Sequence, residues 1–285
     1  MRRLLAGLTV LAAAGVGVIA PATGAEAVVN PLRNLELTQS TGYAGVSEAY
    51  CSVGKVVIGG SFRSSPGVST TSRLGTFKPV SKVNAEGHLV YGFRVSASRQ
   101  YVTATTPPIT VKALCADWVH GYEIVQRWGF KNAVWEKTSK ATCPAGKVVI
   151  GSGVEATGGN VSVDEVLPST NQVGVKAFGK PGSSVAWELG AYAICSYPLI
   201  NRSVVNTGVG TVDSTGKAEG RSLCPYGTNV LSAGFDLIES LGRAGMYEAF
   251  FDQVGSRTGV SVRAVQAVYP SATWRTAAYA VCAEW

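Results

Sequence analysis

Hydrophobic and polar residues alternate with a period of two along much of this chain, as they do in strands with one buried face. The segment WELGAYAIC (187–195) is typical, and PITVKALC (108–115) keeps the same parity with different residues. No stretch combines helical periodicity with capping residues at its ends. The pattern therefore predicts an all-β protein. In WELGAYAIC, the residues expected on the inward face are Trp187, Leu189, Ala191, Ala193 and Cys195.

One segment of a dozen residues occurs three times. CSVGKVVIGGSF, which begins at Cys51, recurs as CPAGKVVIGSGV from Cys143 and as CPYGTNVLSAGF from Cys224. A closing segment also recurs, ending at Cys115, Cys195 and Cys282. Internal repeats of this kind define structural units. The three predicted units are residues 28–118, 119–198 and 199–285.

The N-terminal residues have the composition of a secretory signal peptide. MRR is followed by an apolar run of 17 residues, and Ala25-Glu26-Ala27 offers small residues for cleavage. We therefore predict a signal peptide at 1–27 and a secreted, extracellular protein. The apolar run is shorter than the roughly 20 residues of a spanning helix, so no membrane span is expected.

An even number of cysteines in an exported protein indicates a disulfide framework. Repeat symmetry favours joining the first cysteine of each unit to its last. The favoured pairs are Cys51–Cys115, Cys143–Cys195 and Cys224–Cys282. A second symmetric scheme links successive units in a ring and stays open at this stage: Cys115–Cys143, Cys195–Cys224 and Cys51–Cys282.

Each unit is predicted to form an antiparallel sheet of four or five strands, with an opening strand, a middle hairpin and a closing strand. A sheet that is apolar on one face must bury that face against another layer. Three related sheets can do so around one axis, which predicts a pseudo-threefold β-prism-like domain with a shared core. A β-trefoil-like fold and three small β-sandwiches are the alternatives.

Two resemblances bear on this prediction. The three copies, their C-P-x-G openings and the later cysteine resemble the vitelline membrane outer layer proteins, a secreted family, and imply their threefold β-prism. The pattern CPAGK-V-GG … W-x-x-x-AYA-x-C is more similar to a group of exported actinobacterial repeat proteins of undefined function, over nearly the whole mature chain. Neither resemblance implies a ligand or a catalytic residue.

Charge and candidate chemistry narrow the function only slightly. The chain has a formal net charge of +7, which favours attraction to anionic surfaces. It has no run rich in lysine and arginine, so nucleic acid is not an expected partner. The two histidines, His88 and His120, lie in unmatched positions without a nucleophile motif. We therefore expect no catalytic residues, no metal site and no cofactor.

Three repeated cations form the first candidate site. Arg94, Lys176 and Arg263 occupy equivalent places in the three units, each between residues expected to face the core. Their side chains should therefore point outwards, one on each sheet. There they would attract an anionic polymer, unless they serve only solubility and edge protection.

Unmatched tryptophans form the second candidate site. Trp128 and Trp135 lie in the leading segment of the second unit and have no counterpart in the other copies. An exposed aromatic platform here would suit a glycan or a protein partner. The alternative is burial between sheets.

These observations favour a secreted, non-catalytic binding module. Its partner would be an extracellular polysaccharide, an envelope polymer or a secreted protein. The first alternative is a structural or interaction protein of the cell surface that binds no small ligand. A secreted hydrolase is the second alternative, because Asp164-Glu165 and the scattered acids near Asp236, Glu239 and Asp252 could form a carboxylate pair, although nothing in the sequence brings two of them together.

Overall fold

A computed structural model describes most of the predicted mature chain. The described residues are 32–43, 45–64, 72–99, 108–158, 160–213, 215–266 and 273–285. The predicted signal peptide, 1–27, lies outside them. Within these ranges the chain forms eighteen strands and no helix, so nothing described here could cross a membrane as a helix.

The strands fall into three consecutive groups of six, one group in each repeat unit. The first group is β1 (Glu36–Gly42), β2 (Val46–Tyr50), β3 (Lys55–Ser64), β4 (Ser72–Val83), β5 (Leu89–Arg99) and β6 (Ile109–Asp117). The second is β7 (Glu123–Trp128), β8 (Glu136–Thr142), β9 (Val148–Thr157), β10 (Ser162–Pro168), β11 (Gln172–Phe178) and β12 (Glu188–Ser196). The third is β13 (Ser203–Thr211), β14 (Lys217–Leu223), β15 (Asn229–Ile238), β16 (Ala244–Val254), β17 (Arg257–Gln266) and β18 (Arg275–Ala283).

These strands build three antiparallel walls. Wall I has the order β1-β6-β3-β16-β17-β14, wall II β2-β5-β4-β9-β12-β7, and wall III β13-β18-β15-β10-β11-β8. The predicted class, an all-β domain resembling a pseudo-threefold β-prism, is confirmed. The predicted strand number is wrong: each wall has six strands, because every unit opens with two strands that the alternation revealed only in part.

The sequence suggested that each unit forms one wall, and this prediction is wrong. Each unit instead gives three strands to one wall and three to the next, so that it spans a corner of the prism. The two halves of a wall meet where the third strand of one unit pairs with the fourth strand of another. These seams are β3–β16, β9–β4 and β15–β10, each with two described residue pairs. Hydrogen bonds across the seams therefore link the units in a closed cycle.

Aromatic rings from all three walls meet in the core. The ring centroid of Phe77 in wall II lies 5.6 Å from that of Phe62 in wall I and 6.4 Å from that of Phe235 in wall III. Phe93 packs against the same ring at 4.7 Å. All four rings are buried. The core is thus shared among the walls.

The opening strands β3, β9 and β15 pack against one another. At the matched position of each strand stands a small residue: Gly59, Gly151 and Ser232. A Cβ at Gly59 would lie 2.0 Å from the Leu231 carbonyl oxygen, and one at Gly151 would lie 2.4 Å from the Ile58 carbonyl oxygen. The recurring motif therefore supplies small residues where three backbones approach most closely.

Three disulfides close the corners. The favoured pairing is confirmed, with a Cα–Cα distance of 5.7 Å in each bond, and the ring scheme is excluded. Each bond joins two different walls: Cys51 follows β2 of wall II, for example, whereas Cys115 lies in β6 of wall I. In the chain-entropy description, a loop of this length contributes about 4 kcal/mol to stability.

We predict that Gly59→Ala destabilises the protein by about 3 kcal/mol or more, because the added methyl group meets backbone that cannot move independently. Gly174→Ala is the matched control, since a Cβ at that strand position meets no atom within 4 Å. Urea unfolding of both variants tests this. Equal stabilities would contradict the close packing of the three opening strands.

Removal of the third unit, residues 199–285, should unfold the remainder. The deletion leaves walls I and III with three strands each and removes both of their seams. We expect the shortened protein to lose its cooperative thermal transition in circular dichroism. A cooperative, monomeric product would show instead that the first two units fold independently.

Candidate functional site

The three predicted cations lie on three different walls and are not brought together. Arg94 is in β5 of wall II, Lys176 in β11 of wall III and Arg263 in β17 of wall I, all partly exposed. Each is paired with a carboxylate, so an anionic ligand would have to displace that partner. The pairs are Arg94–Glu48 at 3.2 Å, Lys176–Glu165 at 2.7 Å, and Arg263 with Glu219 at 3.0 Å and Glu248 at 3.4 Å.

The outer faces of the three seams differ in charge. Lys78 pairs with Glu155 at 2.5 Å across the wall II seam, and Arg63 forms two 3.1 Å hydrogen bonds to Glu248 across the wall I seam. The wall III seam instead places two acids, Glu165 and Asp236, opposite each other. Burial, reinforced by Glu165, raises the pKa of Asp236 to about 6. The structure thus brings together two acids that are distant in the sequence. Glu165 is at the same time paired with the Lys176 ammonium.

A third acid, Asp164, is buried at a bulge of β10, between Val163 and Glu165. One of its carboxylate oxygens accepts hydrogen bonds from the Ser240 hydroxyl and from the Gly242 N–H, the latter at 3.1 Å. The other oxygen has no hydrogen-bond partner among the described residues. Burial raises the pKa of Asp164 to about 7. This carboxyl holds the β15–β16 turn against β10.

Among the described residues, the edge strands β7 and β8 separate into a groove at the corner between walls II and III. Strand bounds leave residues 129–135 between β7 and β8, but only 212–216 between β13 and β14 and 43–45 between β1 and β2. At the β13–β14 corner the backbones are in contact: a Cβ at Gly210 would lie 1.7 Å from the Glu219 carbonyl oxygen. The longer connection of the second unit leaves a groove of about 470 Å³, which we call the corner groove. Its lining includes Arg127, Trp128, Phe130, Asn132, Val134, Glu136, Thr138, Ser139 and Lys140.

Trp128 lines the corner groove in a fixed orientation. Its ring lies over Gly190, where a Cβ would come within 3.0 Å of ring atoms. It also meets the Tyr192 ring edge-on, with 6.3 Å between centroids. The Tyr192 hydroxyl donates a 2.7 Å hydrogen bond to Glu155, which is itself paired with Lys78. The tryptophan that the sequence singled out therefore rests on an ordered surface of wall II.

Lys137 orders the loop that forms the far side of the corner groove. Its ammonium donates hydrogen bonds to the carbonyl oxygens of Phe130 at 2.8 Å, Asn132 at 3.1 Å and Trp187. The same ammonium lies 4.5 Å from the centre of the Trp187 ring. Burial lowers the pKa of Lys137. With the loop held in this way, Phe130 projects into solvent and is 90% exposed.

Two further tryptophans, Trp135 and Trp118, lie outside the corner groove. Trp135 does not line the corner groove; it packs against Phe178 with ring centroids 5.0 Å apart, beside a neighbouring narrow cleft. Trp118 is 63% exposed and meets Tyr122 edge-on, away from the groove. Of the two tryptophans that the sequence singled out, only Trp128 lines the corner groove, where Phe130 is the second aromatic residue of the lining. Phe130 was missed because one phenylalanine in a loop has no periodic signal.

Wall I carries a second groove, of about 510 Å³. Apolar side chains dominate its lining, and its one lysine, Lys112, lies 4.1 Å from the centre of the Phe250 ring. Burial lowers the pKa of Lys112. This groove has two aromatic side chains in its lining, Phe251 and Trp285, as the corner groove has, but fewer hydroxyl and amide groups than the corner groove. We therefore take the corner groove as the candidate site.

Comparison with known proteins adds no assignment. No model of a protein family matches the chain, and the search of curated proteins found no relative. The functional inference therefore depends on the geometry of the corner groove.

Asp164→Asn provides a test of the buried carboxyl. The raised pKa means that the folded protein binds more protons than the unfolded chain between about pH 4 and pH 7, so stability falls as pH rises through this range. Since one pKa unit corresponds to about 1.4 kcal/mol, ionising Asp164 costs about 4 kcal/mol at most. We therefore expect the Tm difference between Asp164→Asn and the parent (variant minus parent) to increase from pH 5 to pH 8.

Asp213→Asn is the control for this measurement. Hydrogen bonds from Thr215 and the Lys217 N–H lower the pKa of Asp213, so it stays ionised throughout the range. Its Tm difference from the parent should be constant between pH 5 and pH 8. A constant difference for Asp164→Asn as well would contradict the raised pKa.

Proposed function

We propose that this protein is a secreted, non-catalytic binding module that holds an extracellular polysaccharide in the corner groove. The observation that carries the proposal is the Trp128 ring, oriented by Gly190 and Tyr192 and lining an open groove with hydrogen-bonding side chains. Sugar rings present an apolar face and a rim of hydroxyls. An aromatic ring beside a few well-placed polar groups matches both.

The shape of the groove favours a polymer over a small molecule. Small-molecule pockets bury most of their ligand's surface, whereas this groove lies at an edge between two walls and is open to solvent. Phe130, at its rim, is almost fully exposed. A chain of sugars can extend beyond both ends of such a groove while one or two rings contact the aromatic side chains.

The scaffold fits an extracellular setting. Three disulfides are typical of proteins that fold in an oxidising compartment, and each one closes a corner of the prism. Lys137 and the β7–β12 pairing hold the groove in one conformation, so little conformational entropy would be lost on binding.

Substitution of the two aromatic residues tests the proposal. We expect Trp128→Ala and Phe130→Ala each to weaken binding by about 10-fold or more, because hot-spot aromatic side chains typically contribute this much. The measurement is pull-down and titration with insoluble and soluble polysaccharides: cellulose, xylan, chitin, peptidoglycan, galactan, mannan, phosphomannan and polygalacturonate.

Trp118→Ala is the matched control, since Trp118 is also exposed but lies outside the corner groove. Its binding should equal that of the parent. Absence of binding to every polysaccharide in the panel would contradict the proposal. Concentration-dependent self-association that is lost in Phe130→Ala would instead support a structural role at the cell surface.

A further inference from the structure

The corner groove contains two cations that differ from the paired cations elsewhere on the walls. Arg127 and Lys140 both line the groove, and no described carboxylate lies within ion-pair distance of either. Several other cations on the walls, by contrast, are paired with carboxylates. The wall cations paired in this way include Arg63, Lys78, Arg94, Lys176, Arg221 and Arg263. Positive charge is therefore uncompensated at the groove.

The two cations lie at the same end of the groove, next to Trp128. The Ser139 hydroxyl donates a 2.8 Å hydrogen bond to the Arg127 carbonyl oxygen. This bond holds Ser139, which precedes Lys140 in β8, beside Arg127, which precedes Trp128 in β7. A ligand ring on Trp128 would thus lie between the cationic end and the loop residues Phe130 and Val134 at the opposite end.

The remaining charges of the groove do not cancel this arrangement. The Lys137 ammonium is occupied by three carbonyl oxygens. The single carboxylate in the lining, Glu136, begins β8 opposite Phe178, at the loop end of the groove. Charge is therefore distributed unevenly along the groove, with the positive charge at the Arg127 end.

We infer that the ligand is an acidic polysaccharide. Its carboxylate or phosphate groups bind Arg127 and Lys140 while one of its sugar rings lies on Trp128. This inference rests on the proposed function and adds the chemical class of the ligand. A guanidinium binds planar carboxylate and phosphate groups through two parallel hydrogen bonds, and a nearby ammonium contributes a second, more flexible donor.

The test compares acidic and neutral polymers of similar backbone. Polygalacturonate is paired with galactan to test carboxylate, and phosphomannan is paired with unphosphorylated mannan to test phosphate. We expect the parent protein to prefer one or both acidic polymers by more than 10-fold at 50 mM salt. The preference should decline as salt rises, because exposed charges are screened over about 8 Å at physiological ionic strength.

The decisive variant is Arg127→Gln combined with Lys140→Gln, which should reduce the preference for the acidic polymer to about 2-fold or less. Arg33→Gln combined with Lys217→Gln is the matched control. It removes the same charge at two exposed positions outside the groove and should keep the full preference and its salt dependence. Thermal unfolding of both double variants should stay close to that of the parent, since surface substitutions change stability little.

The outcomes separate this inference from the proposed function. Equal binding of acidic and neutral polymers, with both abolished in Trp128→Ala, would overturn the acidic ligand and leave the glycan site in place. Equal loss in the two double variants would overturn it too, because net charge and not the groove would then set the preference. Absence of binding to all four polymers would overturn the acidic ligand, whereas the proposed function would fall only if the protein also bound no other polysaccharide in the panel.

Discussion

The close approach of three backbones at the centre of the prism sets the conditions for the rest of the fold. Where β3, β9 and β15 pack together, a carbonyl oxygen of one strand occupies the space that a side chain would need on the next. Only glycine or serine is found at the matched positions. Each of these strands then needs hydrogen-bonding partners on both sides, and the seams supply one of them from a different unit.

Strand pairing at the seams and disulfides at the corners both stabilise the arrangement of the units. Two described residue pairs at each seam connect one unit to the next, and a disulfide at each corner connects the two halves of a single unit. Between them, Phe77 contacts rings from both other walls. The three repeats therefore share one core and are joined by strand pairing in a closed cycle.

The sequence predicts those parts of the fold that have a periodic or repeated signal. Alternation reveals the closing strand that ends at Cys195, and repeat symmetry identifies its partner, Cys143. Wall sharing could not be predicted in this way. Seam partners such as Phe62 and Ala249 are nearly two hundred residues apart, and nothing in one sequence records which strands meet across such a distance. Edge strands such as β1 are largely polar, so the strand number was underestimated.

The candidate site was predictable only in part, for related reasons. Trp128 was identifiable because it breaks the repeat, whereas Phe130, Arg127 and Lys140 became candidates only when β7 and β8 were seen to diverge. The predicted cations lie one on each wall, and strand register places an acid beside each of them, as with Arg94 and Glu48, which the sequence did not reveal. Register depends on pairing between distant segments, which residue type alone does not reveal.

The corner connections differ in length while the centre of the prism is unchanged, and this has a consequence for how the scaffold can be altered. Lengthening an exposed connection costs little, because loop-closure entropy grows only with the logarithm of length. A longer loop could therefore be grafted into segment 43–45 or segment 212–216, in addition to the long connection that the second unit already has. One chain could then present up to three recognition elements at fixed separations, and simultaneous engagement of a repetitive polymer would multiply its apparent affinity through effective concentration.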